Sequence, residues 1–179
     1  MRTKKKIIFS RGFLPTVYLF CLSISVLIFL NSNSAKAGNE ELYGTWRLVS
    51  LTRQVIATGE TSDLLGKAPQ GFINYGPDGR VLVIIGAEKR PKPTVIEKMT
   101  DQERVDLFKS MLAYGGTYKY DGKTVTHHID ISWNENWTGT SQVRNVKLEG
   151  RRLILSTNPA PNALDGKVGI SVLTWERVQ

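Results

Sequence analysis

The sequence predicts an all-β fold: an antiparallel meander barrel of eight or nine strands with one inserted amphipathic helix. Three tight-turn motifs carry this prediction, namely Gly-Pro-Asp-Gly at 76–79, Asp-Gly at 121–122 and Glu-Gly at 149–150. Each motif joins two runs rich in β-branched or aromatic residues, which is the strongest short-range signal of an antiparallel hairpin. A closed barrel is favoured over an open sheet because closure leaves no unpaired edge strand.

The predicted strands follow one another along the chain with short connections. They cover residues 45–53, a weak strand at 55–58, and then 70–75, 80–85, 116–120, 123–133, 140–148, 151–157 and 170–178. Because consecutive strands are joined by hairpin turns, each is expected to pair with its neighbour in sequence.

One segment departs from the β pattern. Thr100 and Glu103 have the spacing of a capping box, and apolar residues then recur at helical spacing at Val105, Phe108, Met111 and Leu112. This pattern predicts an amphipathic helix of three to four turns that ends at Gly115-Gly116. A proline-stiffened linker at 88–93 precedes it, so two placements remain open: against the outside of the sheet, or across the barrel mouth as a lid.

The first 37 residues read as an export signal. A basic start is followed by an apolar run over 12–30 and by small residues at Ala35 and Ala37 around Lys36. We expect cleavage after Ala37, which leaves one domain over 38–179, periplasmic or secreted and without a stable membrane span. The alternative is an uncleaved signal anchor that tethers the chain to the membrane. Cys21 lies in the apolar run, and its bulky preceding residues do not resemble a lipoprotein box.

The charge distribution argues against a nucleic-acid partner. Six of the 24 basic residues and none of the 16 acidic residues fall in the leader, so the remaining chain carries 18 basic against 16 acidic residues, a net charge of +2. The basic excess therefore belongs to a targeting segment and not to a binding face. Beyond the leader there is no cysteine and no Gly-x-Ser-x-Gly motif, and we expect no thiol mechanism, metal site or cofactor.

Strand alternation predicts which side chains enter the barrel. On the strand at 123–133, the inward face is predicted to carry Val125, His127, Ile129, Ile131 and Trp133, and His128 faces outward. On the strand at 140–148, Gln142 and Arg144 share the inward face with Val146 and Leu148.

An inward arginine needs a partner, because a buried charge is tolerated only when it is paired or hydrogen-bonded. No acid falls on these faces, which leaves backbone carbonyls, water, or an anionic or carbonyl-bearing ligand for Arg144. Aromatic candidates for a pocket lining are Tyr75, Tyr114, Tyr118, Trp133 and Trp137.

Several segments, taken in order, resemble the lipocalin-like domain family of small bacterial and fungal β-barrel proteins. They are Gly-Thr-Trp at 44–46, Phe-Ile-Asn-Tyr at 72–75, Gly-Thr-Tyr at 116–118, Val-Thr-His-His at 125–128, Gln-Val-Arg at 142–144, Leu-Glu-Gly-Arg-Arg-Leu at 148–153 and Leu-Thr-Trp-Glu-Arg at 173–177. The resemblance spans about residues 42–178. It implies a calyx with an internal pocket, closed at one end by Gly44, Trp46 and Arg177.

The leading hypothesis is an exported binder of a small, largely apolar molecule with a polar or anionic end. Its expected ligand-binding residues are His127, Arg144, Gln142, Trp133, Tyr75, Tyr118, Ile129 and Leu153. One alternative is an isomerase, cyclase or lyase in which His127 is the general acid or base and Arg144 stabilises an oxyanion. A second is an envelope interaction module with a filled barrel, whose partners use the helix or the loop at Trp137.

Overall fold

The computed structural model describes residues 40–161 and 167–178. The export signal predicted over residues 1–37 lies outside the described residues. Within the described ranges, no helix is long and apolar enough to cross a membrane.

The described part of the chain contains ten strands, one α-helix and two single-turn 3-10 helices. In chain order the elements are β1 (Gly44–Val55), β2 (Thr61–Asp63), β3 (Gln70–Tyr75), β4 (Arg80–Gly86), a 3-10 turn (Ile96–Lys98), α1 (Asp101–Lys109), β5 (Met111–Tyr120), β6 (Thr124–Ser132), a second 3-10 turn (Glu135–Trp137), β7 (Ser141–Glu149), β8 (Arg152–Ser156), β9 (Ala160–Pro161) and β10 (Val168–Arg177).

Eight of these strands form a closed antiparallel barrel. The order is β1, β3, β4, β5, β6, β7, β8 and β10, and β10 pairs back onto β1. The short strands β2 and β9 extend the sheet beside β1 and β10. The predicted meander barrel with one helix is therefore confirmed.

The weak strand predicted at 55–58 is wrong. Val55 is the last residue of β1, and the chain then turns back on itself into β2. Two backbone hydrogen bonds hold this turn: the amide of Gly59 donates to the carbonyl of Val55 at 2.8 Å, and the amide of Val55 donates to the carbonyl of Glu60 at 2.9 Å. The β-branched residues in this stretch therefore belong to a strand end and a turn.

A β-bulge in β6 changes the direction of its last side chains. Gly115 of β5 pairs with Ile131 and Gly116 pairs with Ile129, so Asp130 is the extra residue. A Cβ on Gly116 would lie 1.9 Å from the carbonyl oxygen of His128, so the bulge requires a glycine there. One extra residue reverses the alternation, because side chains of a strand alternate between its two faces.

The inward placement predicted for Ile131 and Trp133 is consequently wrong. Ile129, before the bulge, is 2% exposed, and Ile131, after it, is 69% exposed. Trp133 lies on the outside, where its ring packs 5.9 Å from that of Phe108 and its Nε1–H donates to the Phe108 carbonyl at 3.2 Å.

The helix α1 begins as predicted and ends early. The amide of Glu103 donates to Thr100 Oγ1 at 3.2 Å, and the amide of Thr100 donates to Glu103 Oε2 at 2.8 Å, which completes the capping box. Met111 and Leu112 pair with Gly86 and Ile85 of β4 and so belong to β5. The predicted length and amphipathic character are therefore wrong, and no residue of α1 is buried.

One end of the barrel is closed by Trp46 and Arg177, which face each other on β1 and β10. Trp46 is fully buried, and its Nε1–H donates to the carbonyl of Leu42 at 2.9 Å. The guanidinium carbon of Arg177 lies 4.0 Å from the centroid of the Trp46 ring, and Nη2 donates to the carbonyl of Glu41 at 2.6 Å. Gly44 permits this arrangement through its φ of 111°, a backbone conformation that favours glycine.

The closing contact gives a stability test. We expect Arg177→Met to lower the free energy of unfolding by about 2 kcal/mol, because it removes a cation–π contact and leaves backbone carbonyls without a donor. The matched control is Arg47→Met. Arg47 lies next to Trp46 on β1, but it is paired with Glu176 at the surface and its side chain is 62% exposed. We therefore expect a loss below about 1 kcal/mol. Urea unfolding measures both, and equal losses would contradict the closing role of Arg177.

Candidate functional site

The barrel encloses a cavity of about 300 Å³. Its lining extends from Ile73 of β3, which pairs with Trp46, to Leu51 of β1 and Leu173 of β10, which face each other. Most of its wall is aliphatic, and its lining residues are Leu51, Leu64, Ile73, Val83, Ile85, Leu112, Tyr114, His127, Trp137, Arg144, Leu155, Thr157, Ser171, Leu173 and Trp175. This volume is at the lower end of the range for small-molecule sites, roughly 300–1,000 Å³.

Residues outside the regular barrel wall complete the lining. The strands β1 and β3 pair only between Gly44 and Arg47 on the β1 side. Further along β1 the wall is supplied by the segment after β2, in which the amide of Leu64 donates to the carbonyl of Leu51 at 3.1 Å. On the other side, Trp137 of the second 3-10 turn places its ring 6.0 Å from that of Tyr114.

Arg144 is the charged residue of this cavity. It lies on β7 opposite Val125 of β6, and its side chain is directed into the barrel. Its Nη1–H donates to the carbonyl of Val143 at 3.0 Å, and its Nη2–H donates to Gln142 Oε1. Burial lowers the pKa of Arg144 from its usual value, yet a guanidinium stays charged in proteins. Among the described residues that line the cavity, none is acidic.

His127 lies between two tyrosine hydroxyls. The hydroxyl of Tyr75, from β3, is 2.9 Å from Nε2, and the hydroxyl of Tyr114, from β5, is 2.7 Å from Nδ1. The imidazole is 1% exposed. The pairing of β5 with β6 places Tyr118 opposite His127, so Tyr114 reaches the ring from further along the strand.

The imidazole of His127 and the hydroxyls of Tyr75 and Tyr114 form a hydrogen-bonded cluster, and all three groups are neutral at physiological pH. Burial, together with the positive charge of Arg144, lowers the pKa of His127 to about 3. Burial raises the pKa of Tyr114 to about 12 and raises that of Tyr75 well above its usual value. A neutral imidazole donates from one ring nitrogen and accepts at the other. One tyrosine hydroxyl must therefore donate to His127, and the other must accept from it.

Trp175 adds a polar atom without a partner. It is fully buried on β10 and lines the cavity. In the described part of the chain, its Nε1 is the buried side-chain polar atom that has no hydrogen-bond partner. Such an atom is costly unless something in the site accepts its hydrogen.

The structure brings part of the predicted ligand set together. His127 and Arg144 both line the cavity. Tyr75 does not line the cavity, but its hydroxyl is hydrogen-bonded to His127. Gln142 accepts a hydrogen bond from Arg144. His127 and Arg144 are on neighbouring strands, where His127 pairs with Gln142 and Val125 pairs with Arg144.

The remaining predicted residues lie elsewhere. Ile129 and Leu153 are buried in the core without lining the cavity. Tyr118 donates to the carbonyl of Gly76 at 3.1 Å, at the turn between β3 and β4. Trp133 lies outside the barrel because of the bulge in β6. It lines an outer groove of about 600 Å³, together with Phe72, Leu82, Ile84 and Ile131.

Sequence reasoning missed the position of Trp175 and the contact of Tyr114 with His127. Tyr114 was a candidate pocket residue by type, but it stood within the segment predicted as helical. From the sequence, Trp175 was named only within the Leu-Thr-Trp-Glu-Arg segment at 173–177 that resembles the lipocalin-like family. The alternation of β10, with Leu173 and Trp175 separated by one residue, is the signal that places both on one face.

Comparison with known proteins adds two findings. A family model described as a lipocalin-like domain matches residues 43–178. The chain is also similar to the 4'-hydroxy-3'-methoxypropiophenone carrier protein ppsC of Aspergillus oryzae. The two are 32% identical over 87 residues, which cover 44% of this chain and 78% of that relative.

The neutral state of His127 predicts a pH dependence of stability. The unfolded chain takes up a proton on this residue near pH 6.5, whereas the native state does so only near pH 3. The contribution of His127 to stability is therefore lost as the pH falls between these values, by up to about 1.4 kcal/mol per pH unit. We expect His127→Phe to remove this part of the slope in urea unfolding measured from pH 7 to pH 4. A wild-type imidazole resonance that titrates near pH 6.5 and is missing from the variant would contradict it.

Proposed function

Because the chain belongs to the lipocalin-like domain family, we propose that it is a carrier that holds one small, largely apolar molecule inside its barrel. The polar or anionic end of the molecule would lie at Arg144. One observation carries the proposal: the cavity combines an aliphatic wall with a half-buried guanidinium, that of Arg144, which donates to the side-chain amide oxygen of Gln142 and to the backbone carbonyl of Val143.

The wall provides the affinity for the apolar body. Each buried methylene contributes about 0.8 kcal/mol, so a ring or short chain placed against Ile73, Val83 and Leu155 gains several kcal/mol before the entropy of association is subtracted. The guanidinium of Arg144 orients the bound molecule by attracting its polar or anionic end. A charge in an apolar site is costly without a counterpart, and an oxygen-bearing ligand end supplies one.

The relative supports the size and chemistry of the proposed ligand. Its name describes a carrier of a propiophenone with hydroxyl and methoxy groups, which is an aromatic ring with several oxygen acceptors. A molecule of this class presents an apolar ring to an aliphatic wall and oxygen atoms to a guanidinium. We therefore propose a small oxygenated aromatic molecule as the ligand.

The geometry favours this proposal over the two alternatives raised from the sequence. An interaction module with a filled barrel would have no internal cavity, whereas this barrel contains one of about 300 Å³. An isomerase, cyclase or lyase that used His127 as its general acid or base would need a free ring nitrogen. Tyr75 and Tyr114 engage both of them.

We also propose that the carrier is exported and released by cleavage after Ala37, on the strength of the leader composition described above. Expression of the full chain in a Gram-negative host is then expected to give a periplasmic protein of 142 residues, the 179 of the sequence less 37. Intact-mass analysis of the periplasmic and membrane fractions measures this. Ala37→Phe is expected to block cleavage, and full-length wild-type protein in the membrane fraction would favour the signal anchor.

Ligand binding is tested with a matched pair of bulky substitutions. Leu173→Trp adds volume inside the cavity, and Ile131→Trp adds the same type of bulk on the outer groove. In calorimetric titrations with 4'-hydroxy-3'-methoxypropiophenone, we expect saturable one-to-one binding by the wild type and by Ile131→Trp. We expect Leu173→Trp to weaken binding by at least about tenfold, or 1.4 kcal/mol.

Folding of both variants is checked by circular dichroism and thermal unfolding, and Leu173→Phe is used if the tryptophan variant does not fold. Native mass spectrometry of protein purified from its own host shows whether a molecule is retained, and organic extraction identifies it. Loss of binding in Ile131→Trp but not in Leu173→Trp would move the site to the outer groove and refute the internal carrier.

A further inference from the structure

The two possible directions of the hydrogen bonds around His127 differ in which tyrosine keeps an unpaired hydroxyl proton. Tyr75 is fully buried and does not line the cavity. Among the described residues, the hydrogen-bond partner of its hydroxyl is Nε2 of His127. Tyr114, by contrast, both contacts Nδ1 and lines the cavity.

If Nε2 carried the imidazole proton, it would donate to Tyr75, and the hydroxyl proton of Tyr75 would have no acceptor. An unsatisfied buried donor costs about 1–3 kcal/mol. In the opposite arrangement Tyr75 donates to Nε2, and Nδ1–H donates to the oxygen of Tyr114. Every proton of the cluster is then paired except the hydroxyl proton of Tyr114, which is the one beside the cavity.

Three of the polar residues that line the cavity present donors: the hydroxyl of Tyr114 from β5, the guanidinium of Arg144 from β7 and the unpartnered Nε1–H of Trp175 from β10. The hydroxyls of Thr157 and Ser171, which also line it, can donate as well as accept, and Thr157 Oγ1 accepts from the amide of Ser171 at 2.9 Å. His127 from β6, which also lines the cavity, and Tyr75 from β3, which does not, keep the direction of the hydrogen bonds fixed. The lining residues of β1, β4 and β8 are aliphatic, namely Leu51, Val83, Ile85 and Leu155.

We propose that this carrier binds its ligand as an oxyanion, a phenolate or a carboxylate on an apolar body, and that binding a phenol releases its proton to solvent. This inference rests on the proposed function and specifies the charge state of the ligand. The oxyanion accepts from Tyr114 and neutralises Arg144.

Neutral ligands fit the same groups less well. An alcohol or undissociated phenol brings a further donor to a cluster of donors. An ether or a simple ketone accepts a hydrogen bond but leaves the positive charge of Arg144 without a counter-charge. Hydrogen bonds to an ionised partner are about twice as strong as those between neutral groups. The site therefore shifts the ionisation of a bound phenol towards the anion.

The experiment compares two probes of nearly the same shape, 4-hydroxyacetophenone and its methyl ether, 4-methoxyacetophenone. Both are titrated into the purified full-length chain at a pH about one unit below the pKa of the free phenol. Absorbance reports whether the bound phenol is ionised, and calorimetry in two buffers of different ionisation enthalpy counts the protons released. We expect phenolate absorbance, close to one proton released per bound phenol, and binding of the ether at least about tenfold weaker.

Two variants separate the contributions. Arg144→Met is expected to leave the bound phenol protonated and to abolish its advantage over the ether, whereas Arg47→Met, at the surface, is expected to change neither. Tyr114→Phe is expected to weaken phenol binding several-fold with a smaller effect on the ether. Nitrogen-15 NMR of the imidazole tests the hydrogen-bond direction independently, and a proton found on Nε2 would overturn it.

A carboxylate probe, 4-ethylbenzoate, is titrated in the same way. Tighter binding of 4-hydroxyacetophenone indicates that the ligand is a phenolate, and tighter binding of 4-ethylbenzoate indicates a carboxylate. Binding of 4-hydroxyacetophenone as the neutral phenol, with the same affinity as its ether and no effect of Arg144→Met, would refute the oxyanion while the carrier function stands. Absence of binding by all three probes, together with no retained molecule in native mass spectrometry, would refute the carrier function itself.

Discussion

Closure of the barrel through the pairing of β1 with β10 is the constraint on which the rest of the structure depends. It removes the two free edges of the sheet and turns one face of eight strands into an interior cut off from water. The stack of Arg177 on Trp46 then closes one end. The cavity extends towards the other end, where the strands are joined by the longer connections and where Leu64 and Trp137 complete the wall.

Removal of water from this interior determines the chemistry of the polar groups inside it. Desolvation keeps His127 neutral and both of its tyrosine partners protonated. Three neutral groups joined by two hydrogen bonds form a rigid arrangement, because any rotation breaks a bond that water cannot replace. The cluster thus behaves as part of the barrel wall, and its one free proton has a fixed position at the cavity.

The sequence predicted the fold through local signals and failed where the result depended on pairing across strands. Turn motifs and alternation were sufficient for the meander, and Thr100 with Glu103 was sufficient for the start of α1. The bulge at Asp130 depends on the close approach of Gly116 on β5 to the carbonyl of His128 on the neighbouring strand β6. No pattern within β6 alone indicates it. Arg144 and His127 were found from alternation, whereas their tyrosine partners come from strands whose register only the closed barrel fixes.

A half-buried arginine without an acid beside it, as at Arg144, is unfavourable for stability and suits the proposed carrier function. The guanidinium loses hydration that Gln142 and the carbonyl of Val143 replace only in part. An acid placed beside it would relieve this cost and would also occupy the position that an anionic ligand needs. The absence of a carboxylate among the described lining residues therefore links stability to the proposed ligand: an oxyanion that binds only the native state would offset the desolvation cost of Arg144 and raise the free energy of unfolding. The affinity for such a ligand and the stability that it adds are therefore two measurements of the cost of leaving Arg144 without a counter-charge.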